Sequence, residues 1–323
     1  MESVLLREIW QARKRISAIT QPTPLIYSEN LSALTNKSVH LKMENWNTTH
    51  SFKIRGAANK ILSLSPEQRS RGITTFSTGN FGISVGYVAK QLGIKAVICI
   101  SNRVPQAKVN VLEATGAEIK VIGSSQDDAE RYSRELEQKH GLSVIHPFDD
   151  PKVIAGYGTM GLEILYDLPE VDTVLAGLSG GGLHSGLGVT LKTMHPDLRL
   201  IGLSTARGAT MYESLQAGYP IELQEKDTLA DSLLGGIGKN NQYTFSLVQA
   251  YVDEIKVLDE QLFADGMTYM LDKHRVIIEG AAASGIGAIL HQQVHLGNHV
   301  VIVISGSSVD TSTILKLMKD KFG

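Results

Sequence analysis

Apolar residues along this chain come in short bursts separated by longer stretches in which they recur every three or four positions. The bursts are VHLKM (39–43), ITTFS (73–77), AVICI (96–100), EIKVIG (118–123), LSVIH (142–146), DTVLAGL (172–178), LRLIGLS (198–204), DEIKVL (253–258) and HVVIVIS (299–305). Between most of them the 3.6-residue period of an amphipathic helix appears, as in Ile83–Gln91, Gln106–Ala114, Asp127–Lys139 and Ile154–Leu165. That rhythm predicts an α/β fold. Several bursts are apolar at successive positions, as strands covered by helices on both faces must be, so the sheets are expected to be mostly parallel. The pattern divides into a smaller lobe, residues 50–147, and a larger one formed by residues 1–49 and 148–323.

Glycine-rich turns close three of the bursts: STGNFG (77–82), SGGGLHSG (179–186) and SGSS (305–308). Ligands of open α/β sheets bind at the carboxyl ends of strands, so these turns are candidate walls of one site. The glycine run at 179–186 leads into an apolar helical stretch and frees backbone N–H groups at a helix N-terminus, which suits a phosphate. It lacks the Gly-Lys-Ser/Thr ending of a P-loop and the spacing of a dinucleotide fingerprint. Tight packing alone would also explain it. Ser77 and Thr78 could simply cap the next helix, and Asp310 or Ser312 the last one.

SFKIRGA (51–57) sets Lys53 between Phe52 and Ile54 at the start of a helical segment. An amine in apolar surroundings loses its proton more readily and can attack a carbonyl. Most lysines at helix starts reach solvent instead. A phosphate cradle, a polar turn and this lysine together suit a phosphorylated aldehyde.

Composition narrows the partners. The chain has 323 residues, 42% of them hydrophobic, and a formal charge of −2 from 31 basic and 33 acidic side chains. It offers no broad positive field for a nucleic acid, which favours small-molecule ligands. The single cysteine, Cys99, cannot form an internal disulfide and reads as a buried strand residue. No run approaches the ~18 apolar residues of a membrane span. The N-terminal MESVLLREIWQARKRI lacks the unbroken apolar core of a signal peptide, so the cytoplasm is the expected location.

Over nearly its full length the chain resembles the fold type II pyridoxal-phosphate enzymes of the threonine dehydratase and serine racemase family, whose fold is tryptophan synthase beta-like, two open α/β lobes with the cofactor between them. SFKIRGA looks like the family's Schiff-base segment, which implies that Lys53 is the catalytic lysine and that Phe52 and Lys53 contact pyridoxal 5′-phosphate. STGNFG stands where the family has its Ser-Ser-Gly-Asn-His-Gly loop. The resemblance implies that Asn80 meets the cofactor's ring hydroxyl and that Ser77, Thr78, Asn80 and the Phe81 amide hold the substrate carboxylate. It likewise gives the phosphate to Ser179, Gly180, Gly181, Gly182 and Leu183, and the pyridine nitrogen to Ser305. HPFDDP (146–151) matches a segment lining the cleft.

Departures from the family pattern carry information too. Phe81, Ile83 and Tyr157 replace a histidine and two glutamines, and Ser307 and Ser308 stand where the family reads Gly-Asn. Ser204 replaces a glutamate that binds a divalent cation in metal-dependent members, so no metal is expected. Thr78 occupies the position of the serine that serves racemisation, and its methyl restricts its rotamers. TLADSLLGGIGKNNQYTF (228–245) looks most like the threonine dehydratase-like enzymes of hydroxyectoine utilisation.

The resemblance implies a lyase that dehydrates and deaminates a 3-hydroxy amino acid, assembled as a homodimer or homotetramer. A racemase and a non-catalytic protein that merely binds the cofactor are the alternatives. A diamino acid substrate would call for an acidic partner, for which Asp149, Asp150 and Asp231 are candidates by position. Arg55 is a candidate anion partner by position, but its spacing from Lys53 could instead put it on the outer face of the helix.

Overall fold

The computed structural model describes residues 4–323 apart from residues 78, 103, 105, 125 and 225 and the side chains of 106–108 and 126–127. Its strands form two sheets. A six-stranded sheet has the order β1 (Leu25–Tyr27), β2 (Ser38–Lys42), β10 (His299–Val303), β7 (Thr173–Gly177), β8 (Arg199–Thr205) and β9 (Glu254–Leu258). A four-stranded sheet has the order β5 (Glu118–Val121), β4 (Ala96–Ile100), β3 (Ile73–Thr75) and β6 (Ser143–Val144). Every pairing is parallel except that of β1 with β2. All nine bursts read from the sequence appear as strands. The one addition is β1, a three-residue edge strand too short to show any period.

The continuous burial of β4 and of most of β7 and β10 explains why their sequences do not alternate. Cys99 lies within β4, fully buried, and desolvation raises its thiol pKa, which leaves it an inert core residue. The helices Asn80–Leu92, Gln106–Ala114, Gln126–His140 and Pro151–Asp167 contain the four periodic stretches.

Three helices matter most for the site. The lysine helix, Lys53–Ser63, crosses the helix Pro151–Asp167 closely enough that a Cβ on Gly156 would stand 2.4 Å from the Arg55 carbonyl oxygen. A Cβ on Gly56 would stand 2.5 Å from the Tyr157 ring. The helix Gly182–Met194 packs on the other side of Pro151–Asp167, where Gly158 and Gly186 bring the two backbones together. These glycines let Lys53 and the glycine turn at 179–182 approach a single shared neighbour.

A buried charge cluster locks that arrangement. Arg55, 1% exposed, does not face outward: its guanidinium donates to Glu44 Oε2 at 2.8 Å and to Glu163 Oε1 at 2.6 Å. Glu163 also pairs with Lys42 Nζ at 2.7 Å, and Thr23 Oγ1 donates to Glu44 at 2.5 Å. Two cations and two carboxylates therefore neutralise one another where β2, the lysine helix and the helix Pro151–Asp167 meet. Burial alone would push the Glu44 carboxyl up, but the guanidinium outweighs it and holds the group below the ordinary glutamate range.

Removing one partner from such a cluster strands the others without water. Arg55→Met is expected to cost about 3–5 kcal/mol in denaturant unfolding. Because Glu44 titrates lower in the fold than in the unfolded chain, its contribution is present above the ordinary glutamate range. That contribution should fade as pH falls through the depressed value. A variant as stable as the parent at neutral pH would contradict this account.

Candidate active site

Lys53 is the first residue of its helix, and the segment before it is sewn to the end of β10. Ser51 bridges Gly306, the Phe52 N–H donates to the Ser305 carbonyl at 3.1 Å, and the Ser307 N–H donates to the His50 carbonyl at 3.1 Å. The lysine and the serine-rich turn, 252 residues apart between Lys53 and Ser305, thus share one short backbone ladder.

The Lys53 side chain is half-buried. Its Nζ lies 4.8 Å from the centre of the Phe52 ring and 5.7 Å from that of Tyr157. Desolvation lowers the pKa of the amine to about 8, with the Glu279 carboxylate opposing the drop. At pH 7 roughly a tenth of such amines are uncharged, against less than about a thousandth at an ordinary lysine pKa.

Tyr157 links the lysine to the glycine turn. Its hydroxyl donates to the Pro147 carbonyl at 2.9 Å, and the next residue, Phe148, lies against the turn. Side chains on Gly180 or Gly182 would collide with Phe148, at 2.6 and 2.9 Å from their Cβ positions. Gly181 has φ of 83°, a region that favours glycine, and its Cβ would stand 2.8 Å from Met211 and Val248. The helix Gly182–Met194 begins here with no side-chain cap, so its first N–H groups remain available to an anion. Leu183 is buried in the core, and the Ser179 hydroxyl donates to the Leu234 carbonyl at 3.2 Å.

The third wall is the turn after β3. The N-cap of the helix Asn80–Leu92 is Gly79, which has no side chain to cap with, and the first helical residue is Asn80. Its Nδ2 donates to both oxygens of Glu279, at 3.1 and 3.0 Å, and its Oδ1 accepts from the Ser308 hydroxyl. A Cβ on Gly82 would stand 2.1 Å from the Ser77 carbonyl oxygen, so the turn closes tightly over that residue. The Phe81 ring is buried in the core, which leaves only its backbone for ligand contact. Thr78 lies outside the described residues.

The fold thus brings Phe52, Lys53, Asn80 and Ser305 into one connected constellation, with the glycine turn joined to it through Tyr157 and Phe148. Asp149 and Asp150 are used otherwise. Asp149 accepts from the N–H groups of Gln242, Tyr243 and Thr244 at 2.7–2.9 Å. Asp150 caps the helix Pro151–Asp167 and pairs with Lys60 at 2.5 Å. His146 is half-buried with its pKa lowered to about 4, chiefly by desolvation, and its Nδ1 accepts from the Asp149 N–H at 2.9 Å. It is a neutral structural acceptor. Asp310 stands at the N-cap of the last helix without a side-chain bond, contrary to the capping expected of it.

Glu279 was not legible in the sequence. The only available signal was one acid interrupting the small and apolar residues of IIEGAAASG (277–285).

A family model described as "Pyridoxal-phosphate dependent enzyme" matches residues 16–306. The chain belongs to this family. Like its threonine dehydratase relatives it is a fold type II pyridoxal-phosphate enzyme, and pyridoxal 5′-phosphate is its cofactor. It is similar to the L-threonine ammonia-lyase of Thermotoga maritima, 39% identical over 98% of this chain and 78% of that one. The catabolic L-threonine dehydratase TdcB of Staphylococcus aureus is 36% identical over 96% of this chain and 91% of that one. Among solved structures, maize serine racemase superposes with a TM-score of 0.92 at 31% identity, over 99% of this chain and 98% of that one.

The residues present fit a pyridoxal-phosphate enzyme. The uncapped N-terminus at Gly181 and Gly182 offers donors to the phosphate, Phe148 walls that cradle, and the Lys53 amine is uncharged often enough to attack an aldehyde. Lys53→Ala should abolish the cofactor's covalent attachment, read as loss of the adduct mass after borohydride reduction. An adduct that persists at another lysine would overturn the fit.

Proposed function

We propose that this enzyme dehydrates and deaminates a 3-hydroxy amino acid, with threonine and serine as the simplest members of the class. The carrying observation is the Lys53 amine: desolvated, flanked by two aromatic rings, and joined by backbone hydrogen bonds to the turn at Ser305. When bound, pyridoxal phosphate supplies an aldehyde for the substrate amino group and a ring that withdraws electrons from Cα.

The chain's residues do the rest. The N–H groups around Gly180, Gly181 and Gly182 would hold the phosphate, Ser305 and Asn80 would hold the ring, and Ser77, Thr78, Asn80 and the Phe81 N–H would hold the substrate carboxylate. Lys53 Nζ takes the proton from Cα. A serine hydroxyl cannot protonate the ring nitrogen as a carboxylic acid would, which favours a reaction that expels charge through a leaving group at Cβ. The Cβ–O bond breaks and the leaving hydroxide takes up the proton that Lys53 Nζ removed from Cα, departing as water; a second water converts the resulting enamine to a 2-oxo acid and ammonia.

Within that class we assign a hydroxylated diamino acid of hydroxyectoine breakdown as the preferred substrate. The segment 228–245 supports this: it carries the sequence resemblance, and its Leu234 and Thr244 touch the glycine turn. The reading includes the division into a small lobe, 50–147, and a large lobe, 1–49 with 148–323. Assembly as a homodimer or homotetramer and a cytoplasmic location belong to it as well. The likeness to maize serine racemase supports racemisation as the second reading.

The test is release of ammonia and 2-oxo acid by cofactor-loaded protein from L- and D-serine, L-threonine, both 3-hydroxyaspartates and 3-hydroxylated 2,4-diaminobutyrate. Turnover of at least one 3-hydroxy amino acid is expected, reduced by at least about 10³-fold in Lys53→Ala. Preference for the diamino acid supports the finer assignment, and preference for threonine or serine removes it. Release from none of them, with interconversion of L- and D-serine, would replace the lyase reading by racemisation.

A further inference from the structure

Glu279 is 3% exposed and sits at the N-cap of the helix Gly280–Leu290. A carboxylate at a helix N-terminus ordinarily accepts from the first-turn N–H groups. This one makes no such bond. Its oxygens accept instead from Asn80 Nδ2, at 3.1 and 3.0 Å, and from the Ser308 N–H at 3.0 Å. The Ser308 hydroxyl donates to Asn80 Oδ1, so both ends of the Asn80 amide are specified and the side chain cannot flip without breaking them. Space for the carboxylate depends on Gly306, where a Cβ would stand 2.9 Å from Glu279 Oε1. The Glu279 N–H donates to the Gly306 carbonyl at 3.2 Å, tying the helix start to the turn that also holds the lysine segment.

We propose that Glu279 is a positioning residue: with Ser308 it fixes the amide of Asn80. Its carboxylate also acts electrostatically on the Lys53 amine, Asp231 on the turn Asp231–Leu233 acts on it in turn, and Asn80, Ser308 and Ser232 are its neutral hydrogen-bonding partners. Burial pushes its carboxyl up to about 7, Asp231 adds to the rise, and the bonds from Asn80, Ser308 and Ser232 oppose it. The charge that supports Lys53 therefore weakens as pH falls through neutrality. This inference rests on Lys53 as the lysine that carries the cofactor, but not on which amino acid is turned over.

The test uses the holoenzyme without substrate and follows its visible absorption against pH. Taking a negative charge away from a nitrogen that is cationic when protonated lowers its pKa. Glu279→Gln should accordingly move the absorption midpoint to lower pH by about one unit. The acid limb of the kcat/KM profile should lose its inflection near neutral pH. Ser308→Ala leaves the carboxylate in place and should keep the midpoint, while lowering kcat/KM by roughly 2–10-fold as one hydrogen bond to Asn80 is lost. An unchanged midpoint and acid limb in a folded, coloured Glu279→Gln protein would overturn the role of its charge. Should that variant fail to fold, a Ser308→Ala protein with parental kcat/KM would overturn the fixing of Asn80. Parental colour surviving in Lys53→Ala would sink this inference together with the lysine assignment, whereas loss of colour there with a fixed Glu279→Gln midpoint sinks this inference alone.

Discussion

The ion cluster of Lys42, Arg55, Glu44 and Glu163 is the constraint on which the rest of the site depends. It holds four charges away from water, which is tolerable only because each is answered by an opposite charge and by further hydrogen bonds. That requirement allows very little freedom in the placement of Arg55. Because Arg55 lies one half-turn beyond Lys53, the backbone that carries the Lys53 side chain is held in place as well. The contact between Gly156 and the Arg55 backbone works in the same direction, since two helices that approach so closely have few alternative registers.

Around that fixed helix the walls of the site come from distant parts of the chain. The end of β10 pairs with the residues before Lys53, the turn after β3 brings Asn80, and the helix Gly280–Leu290 brings Glu279. The glycine turn after β7 is reached through Tyr157 and Phe148. Asn80 adjoins the four-stranded sheet, whereas Glu279 and Ser308 adjoin the six-stranded one, so their hydrogen bonds join the two sheets at the site. A relative displacement of the sheets would break these bonds and uncover a buried carboxylate. That couples the geometry of the site to the packing of the whole chain.

The arrangement also separates two uses of acidic side chains that look alike in sequence. Asp149 and Asp150 are consumed by helix starts and by Lys60, where a carboxylate gains from backbone N–H groups and the helix dipole. Glu279 sits at a helix start too, yet turns away from it to accept from the Asn80 amide. His146, a tempting acid or base in the cleft segment, is held neutral by burial among Phe76 and Phe148.

The sequence by itself determined the strands and the parallel order of most of the chain, and it marked Lys53 as an amine in apolar company, because burial on both faces and apolar flanks are local properties that leave local patterns. It also carried the glycine turns, since the backbone at Gly181 and the contacts at Gly180 and Gly182 tolerate no larger residue. The three-residue β1 left no such pattern. Tertiary structure alone decided that Arg55 points inward, that Asp310 does not cap with its side chain and that Glu279 accepts from Asn80. The reason is physical: each of these depends on partners dozens to hundreds of residues away, and the desolvation and charge pairing that assign a polar side chain its role exist only after those partners have been brought together.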